Sequence, residues 1–419
     1  MEMGQAPAGR GVVCCGNAWL WPTVLLVMSC GFVMRPKALE AQTAQATQQV
    51  PPASHSLASH CLATIPFELY GNQIFVKLRV NNSGPLWFVV DSGAGGWIVD
   101  RAHAARLALH LEEETAQGSG AGTGTYDVSY VKNVTFSLSR LTISVPLIGV
   151  IDLSNTKSQI GRQIEGLIGY DFFEKFIVEI DYEANLIRLF EPKAYRYSGV
   201  GESIPITVDQ ETRNSFLAAE IAVQGAAPES RRLLIDTGSD DTVDDSFVAK
   251  STGPRREIIS GVGLGKEFKS TVGIVSRLKL GGVSFENVYA GAGGVPLVGG
   301  GILRRFTVIF DYAHERMILE PNQHLEDTFP WDASGIASLR LAESGKFLIN
   351  SVLQESPASE AGLREGDSIQ SIDGLSSEHF TLQQVQGLFR RVGAEHRLTV
   401  QRGSELLKID IKLRSLLQQ

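Results

Sequence analysis

Five short segments occur twice in this chain, in the same order. An apolar run, Trp87-Phe88-Val89-Val90, leads into Asp91-Ser92-Gly93-Ala94, and Leu233-Leu234-Ile235 leads into Asp236-Thr237-Gly238-Ser239. A glycine-rich loop follows each time, at 118–124 and at 261–265. Leu167-Ile168-Gly169 returns as Leu297-Val298-Gly299, the run ending Asp181-Tyr182 as the run ending Asp311-Tyr312, and Glu191-Pro192 as Glu320-Pro321. Asp236 lies 145 residues beyond Asp91. The later segments are displaced by less, so the second copy is shorter in its middle. An ordered set of matches at a nearly constant offset is the mark of an internal duplication. The chain must therefore fold into two related halves, each presenting one carboxylate at the end of a buried strand.

The flanking pattern is that of β structure. Phe67–Tyr70 and Ile74–Val80 flank the turn Gly71-Asn72, and a second turn at 81–85 precedes the strand into Asp91. Asp100 is placed to cap a short helix over 101–109, and Asp244 to cap one over 245–250. With 43 glycines in 419 residues and only 20% charged residues, a turn-rich β protein is expected. The net charge of -8, with no basic tract, speaks against a nucleic-acid partner.

Two carboxylates held roughly 3 Å apart cannot both ionise and so share a proton. The charged member can take a proton from water while the protonated one polarises a carbonyl, so water attacks an amide without a metal or covalent intermediate. In this reading Asp91 and Asp236 are the catalytic pair. Gly93 and Gly238 let the turns bring backbone N–H groups close. Ser92 and Thr237 bond across the halves, with Gly169 and Gly299 as further supports. Ser239 can bond its own carboxylate, whereas Ala94 cannot, which leaves Asp91 the easier of the two to protonate. No cofactor or metal is implied.

These motifs resemble the aspartic peptidases of the pepsin and retropepsin kind over about residues 62–325. The resemblance implies two β-barrel-like lobes forming a cleft, followed by a smaller unit, in a mainly β protein. It also implies mobile flaps, here Gly120 and Gly122 in the first lobe and Gly261 and Gly263 in the second. A flap in each lobe resembles the symmetric retropepsin arrangement. Tyr126 follows the first flap. Because both half-sites lie on one chain, a monomer suffices.

Beyond residue 328, Ser356-Pro357-Ala358, Ala361-Gly362-Leu363, Gly366-Asp367 and Ile372-Asp373-Gly374 resemble a PDZ domain of exported bacterial proteases. That likeness implies an α+β unit that adds a peptide as an extra strand and captures its C-terminal carboxylate at Gly335 and Ile336.

The expected organisation is a leader (1–46), a linker (47–61), a first lobe (62–196), a second lobe (197–328) and the PDZ-like unit (329–419). Arg10, the apolar stretch from Trp19 to Val33 and Ala44-Gln45-Ala46 read as an export signal with cleavage. A retained membrane anchor and lipid attachment at Cys30 are the alternatives, and the expected location is periplasmic, secreted or on the outer membrane face. Three of the four cysteines lie in the leader, so only Cys61 would remain and no internal disulfide is expected. Asp240, Asp241, Asp244 and Asp245 lack EF-hand spacing and read as a solvated turn plus a cap. His103 and His110 read as surface residues. The rival function is a catalytically inactive protease-like scaffold that binds peptides through the PDZ unit. A cleft plugged by the stretch from Asn155 to Gln163 would favour it.

Overall fold

The computed structural model describes residues 60–118, 120, 125–260, 268–342 and 344–417. The leader and nearly all of the linker, together with Gly122, Gly261 and Gly263, lie outside the described residues.

The first half of the duplication runs through β1 (Cys61–Pro66), β2 (Glu68–Tyr70), β3 (Gln73–Val80), β4 (Leu86–Val90), β5 (Ile98–Asp100), α1 (Arg101–Arg106), β6 (Thr115–Gly118) and β7 (Tyr126–Leu138). It continues with β8 (Leu141–Ile151), α2 (Ser154–Ile160), β9 (Gly166–Ile168), α3 (Tyr170–Lys175), β10 (Ile177–Asp181) and β11 (Leu186–Phe190). The second half comprises β12 (Glu202–Asp209), β13 (Asn214–Val223), β14 (Glu229–Asp236), β15 (Val243–Asp244), β16 (Arg255–Ser260), β17 (Phe268–Leu280) and β18 (Val283–Gly291). Then come β19 (Leu297–Gly299), α4 (Gly300–Leu303), β20 (Phe306–Asp311) and β21 (Arg316–Pro321).

The duplication is exact at the level of strand order. The first sheet runs β2-β3-β4-β9-β5-β8-β7-β6, and the matching part of the second runs β13-β14-β19-β15-β18-β17-β16. In both, a parallel pair lies at the centre. Val90 is in register with Ile168, and Asp236 with Gly299. A parallel neighbour needs a crossover, and everything from β5 to α2 forms the first one. The two halves are joined by the antiparallel pairing of β10 with β20, which sets Ile180 opposite Val308. These strands carry no exposed residue, as expected where a sheet is covered on both faces.

The main hydrophobic core is continuous through both halves. Trp97, 1% exposed, is its largest buried side chain and stacks on Phe136 with ring centroids 4.2 Å apart. Buried Arg305 fastens the stretch after β21. Its guanidinium donates to the carbonyls of Gly301, His324, Leu325, Asp327 and Thr328, and it lies over Phe329 at 3.7 Å. Burial pulls its pKa down to about 10, still far above neutrality, so the charge persists and is met by carbonyl dipoles.

The C-terminal unit is a six-stranded sheet with its own core. It contains β22 (Ser338–Leu341), β23 (Phe347–Ser351), α5 (Pro357–Glu360), β24 (Ser368–Ile372), β25 (Leu375–Ser376), α6 (Leu382–Phe389), β26 (Glu395–Arg402) and β27 (Glu405–Lys412). Ser356 and Thr381 head α5 and α6 with reciprocal capping boxes, so the sequence itself specifies both starts. The order β22-β23-β24-β26-β27 leaves β22 at an edge. This unit meets both lobes. Ser158 Oγ on α2 donates to Leu341 O (3.1 Å), Gln383 N donates to Tyr70 Oη (3.3 Å), and Arg256 Nε on β16 donates to Leu416 O (3.1 Å).

Several local expectations change here. Asp100 precedes α1 but does not cap it. Its buried carboxylate accepts from Leu153 N (3.0 Å) and pairs with Lys157 Nζ (2.7 Å) and His103 Nδ1 (3.2 Å). Against the cost of burial, these partners hold it below the usual carboxylate range. His103 is correspondingly not a surface residue, since Glu165 lies 3.8 Å away on its other side. Asp245, not Asp244, caps the one-turn 3-10 helix at 246–250, accepting from Phe247 N (2.7 Å). Asp244 instead accepts from Gly293 N (3.2 Å) and Gly294 N (3.0 Å). In each case a carboxylate preferred a long-range partner over the adjacent helix terminus. The stretch from Asn155 to Gln163 is largely α2, and it packs on β22 of the C-terminal unit.

Candidate active site

β4 and β14 end at the two aspartate turns, and each turn is closed by the parallel neighbour. Asp91 N donates to Ile168 O (2.9 Å), and Gly300 N donates to Ser239 O (2.9 Å). Gly169 and Gly299 are glycines for want of room. A Cβ on Gly169 would overlap the carbonyls of Gly96 and Ala94, and one on Gly299 would stand 2.6 Å from Asp241 O.

The hydroxyl residues tie the two turns together. Ser92 Oγ donates to Ile235 O (2.6 Å) and accepts from Thr237 N (3.0 Å). Thr237 Oγ1 donates to Val90 O (2.8 Å) and accepts from Ser92 N (3.0 Å). Both side chains are buried, at 1% and 0% exposed. Four mutually dependent hydrogen bonds thus use the donor and one acceptor site of each hydroxyl. Losing one would strand its partners out of water at a cost of about 1–3 kcal/mol.

This brace brings the aspartates face to face. A Cβ on Gly93 would lie 2.8 Å from Cγ of Asp236, and one on Gly238 would overlap Cγ of Asp91. Each glycine therefore makes room for the opposite carboxylate. Gly93 N donates to Asp91 Oδ1 (2.9 Å). Asp236 Oδ1 accepts from both Gly238 N (2.8 Å) and Ser239 N (3.1 Å). Burial raises both pKa values. The charge of Asp236 pushes Asp91 well above the ordinary range, while the two N–H donors restrain Asp236. The carboxylates hydrogen-bond to one another and titrate as a pair. One proton shared by two carboxylates is the resting state such a pair favours.

Ser239 departs from expectation. Its hydroxyl donates to Asp241 Oδ2 (3.3 Å) and accepts from Asp241 N (3.2 Å), so only its backbone reaches Asp236. Both aspartates accept from backbone N–H groups, Gly93 and Ala94 on Asp91 and Gly238 and Ser239 on Asp236, so the hydroxyl that Ala94 lacks is not what distinguishes them.

Of the flap glycines, Gly120 is described and stands between β6 and β7. Tyr126, at the start of β7, joins the apolar cluster of Phe75, Ala94, Leu153 and Ile164 beside the first motif. Burial, then the charge of Asp91, raises its pKa. Sequence reasoning passed over Asn72 and Gln73. Asn72 Nδ2 donates to Asp240 O (2.9 Å) and Gln73 Nε2 to Gly238 O. The turn before β13 reciprocates. Arg213 pairs with Asp171 (2.6 Å) and covers Tyr170, and Thr212 O limits the space at Gly95. The only signal available was position, since each turn precedes the strand that precedes its aspartate strand. Gly335 N donates to Asp332 Oδ2 (2.6 Å), and Ile336, 7% exposed, points into the C-terminal core.

Duplicated β lobes meeting at a braced pair of aspartates, followed by a separate six-stranded β unit, resemble an aspartyl protease carrying a PDZ domain. The comparisons agree. Residues 76–172 match the family described as Aspartyl protease, and residues 348–402 match the one described as PDZ domain. No curated protein matches the chain.

Proposed function

We propose that this chain is an aspartic endopeptidase, with Asp91 and Asp236 sharing the acid and base roles. The observation that carries the proposal is the pair of buried, proton-sharing carboxylates held by the Ser92–Thr237 brace. A water between the carboxylates gives a proton to ionised Asp236 as its oxygen attacks the peptide carbonyl carbon. Protonated Asp91 gives its proton to the carbonyl oxygen, and a tetrahedral diol forms. The proton on Asp236 then passes to the amide nitrogen. The C–N bond breaks, and the diol returns its proton to Asp91, leaving the dyad as it began. The substrate is an extended peptide lying across both lobes. Export through the leader, action as a monomer and the five-part organisation given above belong to the same reading.

The test is cleavage of a diverse peptide mixture by the purified protein from acidic to neutral pH, beside Asp91→Asn and Asp236→Asn. Cleavage abolished by either substitution supports the shared dyad. A folded wild-type protein that cuts nothing, with and without residues 332–419, supports the inactive scaffold instead.

A further inference from the structure

The sheet of the C-terminal unit ends on one side in β22. Ala342 N donates to Lys346 O inside the β22–β23 hairpin, so by alternation the neighbouring Leu341 turns its C=O away from β23, towards the edge. That carbonyl is already taken by Ser158 Oγ of α2. Helix α6 flanks the same edge, and it too is covered by the first lobe. Leu382, 1% exposed, lies so close to Gly161 that a Cβ there would stand 2.7 Å from its own. The N–H of Gln383, in the first turn of α6, is satisfied by Tyr70.

The loop entering β22 is closed as well. A free chain terminus needs unused N–H donors to hold its carboxylate. Here Gly335 N donates to Asp332 Oδ2, Ile336 N to Ser334 Oγ (3.0 Å) and Ala337 N to Ser351 O (3.1 Å). Asp332, an internal carboxylate, takes the place that a ligand's terminal carboxylate would need.

We infer that the groove between β22 and α6 is occupied in cis by the Ser158–Gly161 end of α2, and that its exchangeable ligand is an internal extended segment rather than a chain's C-terminus. Such a segment pairs with the β22 edge only after α2 has moved away. Because α2 is tied to Asp100 and Ile160 packs in the cluster holding Tyr126 and Ala94, that movement reaches the wall of the aspartate cleft.

The full chain is tested against an array of random decapeptides, each presented as free acid and as C-terminal amide. Alongside it go Gly161→Val, which cannot keep the close approach, and the double variant Ser158→Ala/Tyr70→Phe, which removes one contact of α2 and one of β2 with the C-terminal unit without backbone strain. Amidation is expected to leave binding within about two-fold. The loosened variants are expected to bind about ten-fold more tightly, because the binding-competent population rises. Bound peptide should also speed amide exchange across 154–160. Binding lost on amidation would overturn the inference in favour of a C-terminal reader. Equal binding by wild-type and both variants with unchanged exchange in α2, or no binding by any form, would overturn the shared groove.

Discussion

The two half-sites have the same backbone and different fastenings. In both, a strand ends in an aspartate, a hydroxyl residue crosses to the other half, and a glycine makes room for the opposite carboxylate. Outside that kernel they diverge. The first lobe reaches over the second motif with neutral side chains, Asn72 and Gln73, bonding backbone carbonyls. The second reaches back with a charged one, Arg213 on Asp171 and Tyr170. The second copy follows its supporting glycine with Gly300, since Asn72 O leaves no space for a Cβ, whereas the first has Tyr170 there. Duplication has preserved what the paired carboxylates need and left free how each lobe is held to the other.

The largest effect expected is on turnover, and it breaks the symmetry of the pair least. Asp91→Asn and Asp236→Asn should each lower kcat by ~10²–10⁴-fold or more, as expected on losing a general acid or base. Gly238→Ala and Gly93→Ala rank next. Both should lower kcat in a folded protein, with Gly238→Ala the more severe because its added methyl overlaps Asp91 outright. An active Gly238→Ala enzyme would mean that the carboxylates stand further apart.

The brace should show in stability. Ser92→Ala and Thr237→Val should each lower unfolding free energy by about 1–3 kcal/mol in denaturant titrations. The double variant should cost less than their sum, because each serves the other's hydrogen bonds.

The dyad also sets a pH dependence with a definite sign. Both folded-state pKa values are raised, so the native state binds more protons than the unfolded chain between the ordinary Asp value and the raised ones. Stability contributed by the pair is therefore lost as pH rises through that window. Asp91→Asn and Asp236→Asn should be inactive yet raise Tm at neutral pH, and by less below the ordinary Asp range. A Tm gain that is the same at both pH values would contradict the shared proton.

The smallest effect tests the neighbours of the dyad. Ala94→Ser should move the pH–rate profile by less than about half a unit, since Ser239 directs its own hydroxyl to Asp241 and not to the dyad. A larger shift would show that the first turn can seat a hydroxyl where the second does not.

Much of the fold was legible in the sequence because it repeats and alternates. The repeated segments marked the strands that the fold pairs in parallel as β4–β9 and β14–β19. What misled was the assignment of polar side chains. Asp100 and Asp244 each stand beside a helix start, and each takes partners remote in the chain, while Ser239 turns its hydroxyl to Asp241 two residues on instead of to the dyad. His103 is drawn inward by Asp100 and by the remote Glu165. Local spacing ranks nearby partners, but a buried carboxylate goes wherever the most donors converge.

The sequence by itself determined that there are two copies, that each delivers one aspartate on an apolar strand, and that a separate β unit with capped helices follows. Those properties depend on periodicity and on residues adjacent in the chain. Only the tertiary structure decided that Ser92 and Thr237 exchange hydrogen bonds, that each motif glycine faces the opposite carboxylate, and that α2 lies on the edge of β22. Each of these depends on groups 143 or more residues apart in the chain meeting in the fold.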